Sequence, residues 1–78
     1  MAQIDMNLFD RLEKNRNTVH GKVYATYSSF VTGGKKYFQI DTYGKADRAM
    51  PGKISQSLQF DKSSAESLIA LLKKEFNL

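Results

Sequence analysis

The chain has no cysteine and no tryptophan, a single histidine and a single proline, and no apolar run long enough to span a bilayer. Without cysteine there is neither a disulfide framework nor a thiolate metal site, and a reducing cytoplasm accepts such a chain most easily. The opening MAQIDMNLFDRLEKNR lacks the basic start and continuous apolar stretch of a signal peptide, which predicts a cytoplasmic protein with no membrane partner. His20, next to Gly21, has no cysteine to share a ligand set and reads as a strand-start residue, so no metal and no cofactor is expected. Asp41 falls in a strand and Asp47 in a loop, which makes no carboxylate pair. GKADRAMPGK lacks the glycine-lysine-serine ending of a phosphate-binding loop. These absences predict a protein that is not an enzyme.

What is present is charge in one place. At 78 residues the chain is one small domain, of a size that buries only roughly 60% of its unfolded surface. The net charge is +4. In residues 1–20, Arg11, Lys14 and Arg16 are balanced by Asp5, Asp10 and Glu13; in residues 61–78, Lys62, Lys73 and Lys74 are balanced by Asp61, Glu66 and Glu75. The excess therefore lies in the middle, where Lys22, Lys35, Lys36, Lys45, Arg48 and Lys53 face only Asp41 and Asp47. A localised positive field suits a phosphate-bearing or acidic partner; the bland alternative is a solvated, lysine-rich surface.

The hydrophobic period divides the domain in three: residues 1–17 an N-terminal helix or arm, 18–60 an antiparallel sheet, 61–78 a C-terminal helix. Ile4, Leu8 and Leu12, with Phe9 beside them, form one face of a short helix over Ile4–Lys14, although three turns are marginal in water and a free arm competes. From Val19 the period is two. Val19, Val23, Ala25, Tyr27 and Val31 alternate with Lys22, Tyr24, Thr26, Ser28 and Phe30. TGGKK then signals a hairpin, and KKYFQIDTY is the second strand, with Phe38 and Ile40 against Tyr37, Gln39, Asp41 and Tyr43. After the long connection GKADRAMPG, KISQSLQF is a third strand, with Ile54, Leu58 and Phe60 inward and Gln56 breaking the row. Asp61, or Ser63 with Glu66 one register later, caps a helix whose stripe is Ala65, Leu68, Ile69, Leu72 and Phe76. Truncating Leu68 or Leu72 is expected to cost about 2 to 5 kcal/mol.

If that helix covers Val23, Ala25, Tyr27, Phe38, Ile40, Ile54, Leu58 and Phe60, the opposite face is open. It holds four rings among hydroxyls, amides and lysines. Bases stack on rings whatever their identity, lysines track phosphates and short polar side chains meet base edges. The candidate nucleic-acid-binding residues are Lys22, Tyr24, Phe30, Lys35, Lys36, Tyr37, Gln39, Tyr43, Lys45, Arg48 and Lys53. Asp41, an acid on the same face, counts against this reading. Rings also favour strands for packing alone, so cross-strand pairs, a dimer seam or a second core beneath the N-terminal segment are the structural alternatives.

The segment YFQIDTYGKADRAMPGKISQSLQFDKSSAESLIALLKKEF is similar to short bacterial proteins of unassigned function that share the YFQIDTYG, PGK and QFD pattern. Over about half the chain it also resembles the single-strand-binding domain of the transcriptional positive cofactor four family. There a curved antiparallel sheet ends in a helix and dimers hold melted DNA. That family uses four strands, against three here unless AQIDMNLF adds one through Ile4, Met6 and Leu8. LQFDKSSAESL is similar to the three-strand-plus-helix domains of plant ethylene-response factors and integrase arms. The order helix, three strands, helix resembles double-stranded RNA-binding domains, without their lysine cluster in DKSSAES.

Together these readings predict an α+β domain: an antiparallel sheet of three strands, or four, with a C-terminal amphipathic helix on one face and a short N-terminal helix or arm. The expected function is nucleic-acid binding, single-stranded DNA preferred, with a homodimer as an option. The alternatives are a protein-interaction module using the same aromatic face, such as a phage- or plasmid-like accessory factor or inhibitor, and a double-stranded DNA or RNA binder.

Overall fold

The computed structural model describes residues 1–44 and 52–78. It is an α+β fold: a four-stranded mixed sheet followed by one helix. In chain order the strands are β1 (Ala2–Ile4), β2 (Ala25–Thr32), β3 (Lys35–Tyr43) and β4 (Ile54–Phe60), and the helix is α1 (Lys62–Phe76). Across the sheet the order is β1-β4-β3-β2, with β1 parallel to β4 and the other neighbours antiparallel.

The hairpin forms where Gly33 and Gly34 were expected to turn the chain. Both adopt positive φ, 59° and 79°, which a two-residue turn between strands needs and a side-chain-bearing residue resists. Thr32 therefore pairs with Lys35, and the register runs through Phe30 with Tyr37 and Tyr27 with Ile40 to Ala25 with Thr42. The other edge of β3 pairs Phe38 with Phe60, Ile40 with Leu58 and Asp41 with Ser57. Between Thr42 and Tyr43 the register slips, Thr42 standing opposite Gln56 and Tyr43 opposite Ile54.

In the N-terminal third the four-stranded option holds, while the helix expected over Ile4–Lys14 and the strand start expected at Val19 do not. Ile4–Lys14 is not a helix: Ala2–Ile4 adds a fourth strand along β4, with Ile4 opposite Phe60, and Met6–Leu8 makes one 3-10 turn capped by Asp5. Three turns of isolated helix gain little in water, whereas the free edge of β4 offers unpaired backbone groups that a strand satisfies at once. Residues 9–24 have no regular secondary structure, so the strand predicted from Val19 begins only at Ala25. The limit is set by the partner, because β3 ends at Tyr43, whose N–H reaches the carbonyl of Tyr24 at 3.1 Å. Upstream of that bond Val23 and Lys22 have alternation but no described strand beside them.

α1 starts at Asp61, whose carboxylate accepts the Ser64 N–H at 2.9 Å while Ser64 Oγ accepts the Asp61 N–H at 3.1 Å. The capping box is thus Asp61 with Ser64, not Ser63 with Glu66. Asn77, at φ 56° and ψ 44°, closes the other end, where Lys73 and Lys74 sit in the last turn. α1 lies over β4 and the Met6–Leu8 turn, and Arg11, which also contacts its neighbour Glu13 at 2.6 Å, meets Glu75 near the far end of α1 at 3.0 Å in an exposed ion pair. Among the described residues Phe60, 6% exposed, is the one buried apolar side chain. The expected cover over the rest of the apolar face is incomplete: Tyr27 and Phe38 stack at 5.6 Å yet remain 76% and 40% exposed, and Ile69, Leu71, Leu72 and Phe76 of α1 are open. A helix lying along β4 is too narrow to reach over the full width of a four-stranded sheet.

Candidate functional site

The face away from α1 is assembled by the alternation of β2, β3 and β4. Its rows are Thr26, Ser28 and Phe30 on β2; Tyr37, Gln39, Asp41 and Tyr43 on β3; and Ser57 and Gln59 on β4, with Gln3 of β1 opposite Gln59. Tyr37, Gln39 and Tyr43, predicted to share a face, do so. Phe30 and Tyr24 join them, and the rings gather into two pairs.

At one end Phe30 stacks on Tyr37, centroids 5.4 Å apart and planes 24° apart. At the other, Tyr24 and Tyr43 meet at 5.5 Å with planes tilted 59°, and the Tyr43 hydroxyl hydrogen-bonds Thr26 Oγ1 at 3.1 Å. Tyr37 and Tyr43 are partly buried, while Tyr24 and Phe30 are exposed. The two phenols stand six steps apart along β3, roughly 20 Å at the rise of a strand.

Between the ring pairs runs a strip of hydrogen-bonded polar side chains. Gln59 Nε2 donates to Gln39 Oε1 at 2.8 Å, Gln39 Nε2 donates to Asp41 Oδ1 at 2.8 Å, and Ser57 Oγ donates to the same oxygen. Asp41 and Ser57 are each only 8% exposed. This strip was hidden from sequence reasoning, which placed Asp41 on the face but saw no partner for it. The alternation of Ser57 and Gln59 was visible, but the register that sets Asp41 opposite Ser57 was not. Beside the strip, Met1, Ala2, Gln3, Gln39, Ser57 and Gln59 surround a shallow depression of about 300 Å³.

The cations distribute unevenly. Lys35 begins β3 in the Tyr37 row, while Lys36, one residue on, belongs to the Phe38 row and lines an apolar cleft of about 280 Å³ with Phe38, Phe60 and Ala65. Alternation alone moves Lys36 off the open face. Lys22 precedes Tyr24 and Lys53 precedes β4, both exposed; the register of Tyr43 with Ile54 puts their backbone near the Tyr24/Tyr43 end. Lys45 and Arg48 lie outside the described residues. His20 is in the exposed segment before β2, and among the described residues no group of acids and histidine gathers as a metal site. Nor is any described helix long and apolar enough to cross a membrane.

The face can stack planar groups at either end and exchange hydrogen bonds between them. No protein-family model, curated protein or solved structure matches the chain.

Proposed function

We propose that this face binds single-stranded nucleic acid, DNA in preference, by stacking bases on its two ring pairs while nearby lysines follow the phosphates. The observation that carries the reading is the placement of Phe30 with Tyr37 and Tyr24 with Tyr43 at opposite ends of one solvent-facing surface. A ring offers its π-face to any base, worth about 1 to 3 kcal/mol for each base stacked. Lys35 near one end, and Lys22 and Lys53 near the other, supply charge along such a path. If about four phosphates are contacted at a slope near 0.7 each, raising salt from roughly 50 to 200 mM weakens binding of a fluorescent oligonucleotide about fifty-fold. A flat salt response removes the proposal.

A specific observation also favours self-association, through the other face. A folded chain of 8.9 kDa is expected to expose about 4,800 Å², yet this one exposes 7248 Å². Residues 9–24, irregular and exposed throughout, account for part of the excess, and the uncovered apolar layer for another part. Obligate dimers bury on the order of 2,000 to 5,000 Å² in total. The partner this suits is a second copy, because each copy carries both halves of what is missing: an uncovered sheet face and a helix with an open apolar stripe. The open ring face then stays free on both copies.

A further inference from the structure

We propose that Asp41 reads a base: its free carboxylate oxygen accepts the adjacent N–H donors of a guanine lying on this face, giving the site a preference for guanine over thymine or uracil. The inference rests on the nucleic-acid reading and names the base that the centre of the face selects.

An acid on a surface that meets phosphates weakens every contact by charge repulsion, so its presence needs a return. Anchoring Gln39 and Ser57 is not a sufficient one, because both donate to the same oxygen, Oδ1, and a neutral amide oxygen in that place serves as well. Oδ2 accepts no hydrogen bond among the described residues, and no cation pairs with Asp41 there. Since among the described residues no side-chain oxygen or nitrogen is both sealed from solvent and unbonded, Oδ2 is not wholly closed off. The donors around it are committed in one direction, Gln59 to Gln39 to Asp41. The strip therefore ends on an acceptor, held in place and lacking a donor.

Guanine is the base whose pairing edge offers two neighbouring N–H groups, on N1 and the 2-amino nitrogen, with no acceptor between them. Thymine and uracil offer one N–H flanked by two carbonyl oxygens, which a carboxylate repels. Gln39 and Gln59 each retain a second N–H, one of which suits the guanine 6-oxo oxygen. The depression between Gln3, Gln39, Ser57 and Gln59 lies against the two residues that donate to Asp41 and gives the purine room on that side. A buried polar group matched to its ligand's donors discriminates strongly, because the wrong base leaves it unpaired.

The test compares a thymine 12-mer with the same strand carrying one central guanine, and a third carrying hypoxanthine, which lacks the 2-amino group. Wild-type protein is expected to bind the guanine strand about tenfold more tightly than the thymine strand, with hypoxanthine between them. In Asp41→Asn the guanine preference falls to within about twofold, and binding of the thymine strand tightens as a negative charge leaves the surface. Should Asp41→Asn fail to fold, the hypoxanthine strand still decides with wild-type protein. Equal binding of all three strands overturns the base-reading role and leaves the nucleic-acid reading standing. No binding of any strand overturns both.

Discussion

On one face of the sheet Asp41 and Ser57 are almost closed off, joined to each other and to Gln39 by hydrogen bonds on one carboxylate oxygen; on the other, Tyr27 and Phe38 stack in the open. The same strands supply both. On the polar face short side chains at successive register positions reach one another across β3 and β4, so they shield each other without a covering element. On the apolar face the rings and aliphatic chains have no such mutual bonds, and α1 spans only the β4 side. Apolar area in water costs about 25 cal/mol per Å², so the polar face is a finished surface and the apolar face an unfinished one. The two proposals, nucleic-acid binding and self-association, accordingly divide between them.

The largest expected effect tests whether the chain's few buried contacts hold it together. Phe60 pairs with Phe38 on one side and Ile4 on the other, and lies beneath the start of α1. Phe60→Ala is expected to cost about 3 to 5 kcal/mol, most of the stability of so small a domain. Urea denaturation followed by circular dichroism checks it; a loss under about 1 kcal/mol means the fold is held elsewhere.

Leu72 sharpens the contrast between a lone chain and an assembled one. At 40% exposed, it no longer supports the full cost that its place in the helix stripe predicts. In a lone chain Leu72→Ala should cost under about 1 kcal/mol, because a cavity cannot form at an open site. If a second copy covers it, the cost rises to about 2 to 5 kcal/mol. The wild-type melting point then climbs with protein concentration, and sedimentation shows a dimer that persists in 0.5 M salt. A monomer at all concentrations with a near-neutral Leu72→Ala ends the self-association proposal.

On the polar face the expected change is in binding, not folding. Replacing both Tyr37 and Tyr43 by alanine removes one ring from each pair and should weaken oligonucleotide binding by about 1 to 3 kcal/mol per stacked base. The melting point should move far less than in Phe60→Ala. An early melt with binding intact per folded molecule makes the rings structural cross-strand pairs.

Most of the sheet was legible in the sequence because its signals were local. Gly33–Gly34 names its own turn, and the alternation of Tyr37, Gln39, Asp41 and Tyr43 names its own face. What was not legible depended on partners distant in the chain. Ala2–Ile4 reads equally as the start of a helix until the free edge of β4 is known. Val19 and Val23 alternate convincingly, but β3 stops before it can pair them. Asp41 was an objection to the open face until Ser57 and Gln39 were seen to donate to it, because register converts isolated polar residues into a network. The apolar stripe of α1 was read correctly as a stripe, while its cover was assumed from within the chain.

The smallest effect concerns the cap that joins the two faces to α1. The Ser64 backbone N–H, then the Ser64 side chain, hold the Asp61 carboxyl below its ordinary value of 3.8, with a further lowering from Lys35 opposed by burial. A carboxyl depressed in the folded state stabilises fully above its unfolded value, and that contribution is lost as pH falls through the lower folded value. Helix content should therefore hold from neutral pH down to about pH 4 and decline below it. Asparagine also caps well but does not titrate, so Asp61→Asn should remove this component of the decline and shift the melting point at neutral pH by a few degrees at most. The Arg11 contacts to Glu13 and Glu75 are present in both proteins and cancel in the comparison. If the two pH profiles by circular dichroism superimpose, the helix start is held by Ser64 and the packing of Phe60 rather than by the charge on Asp61.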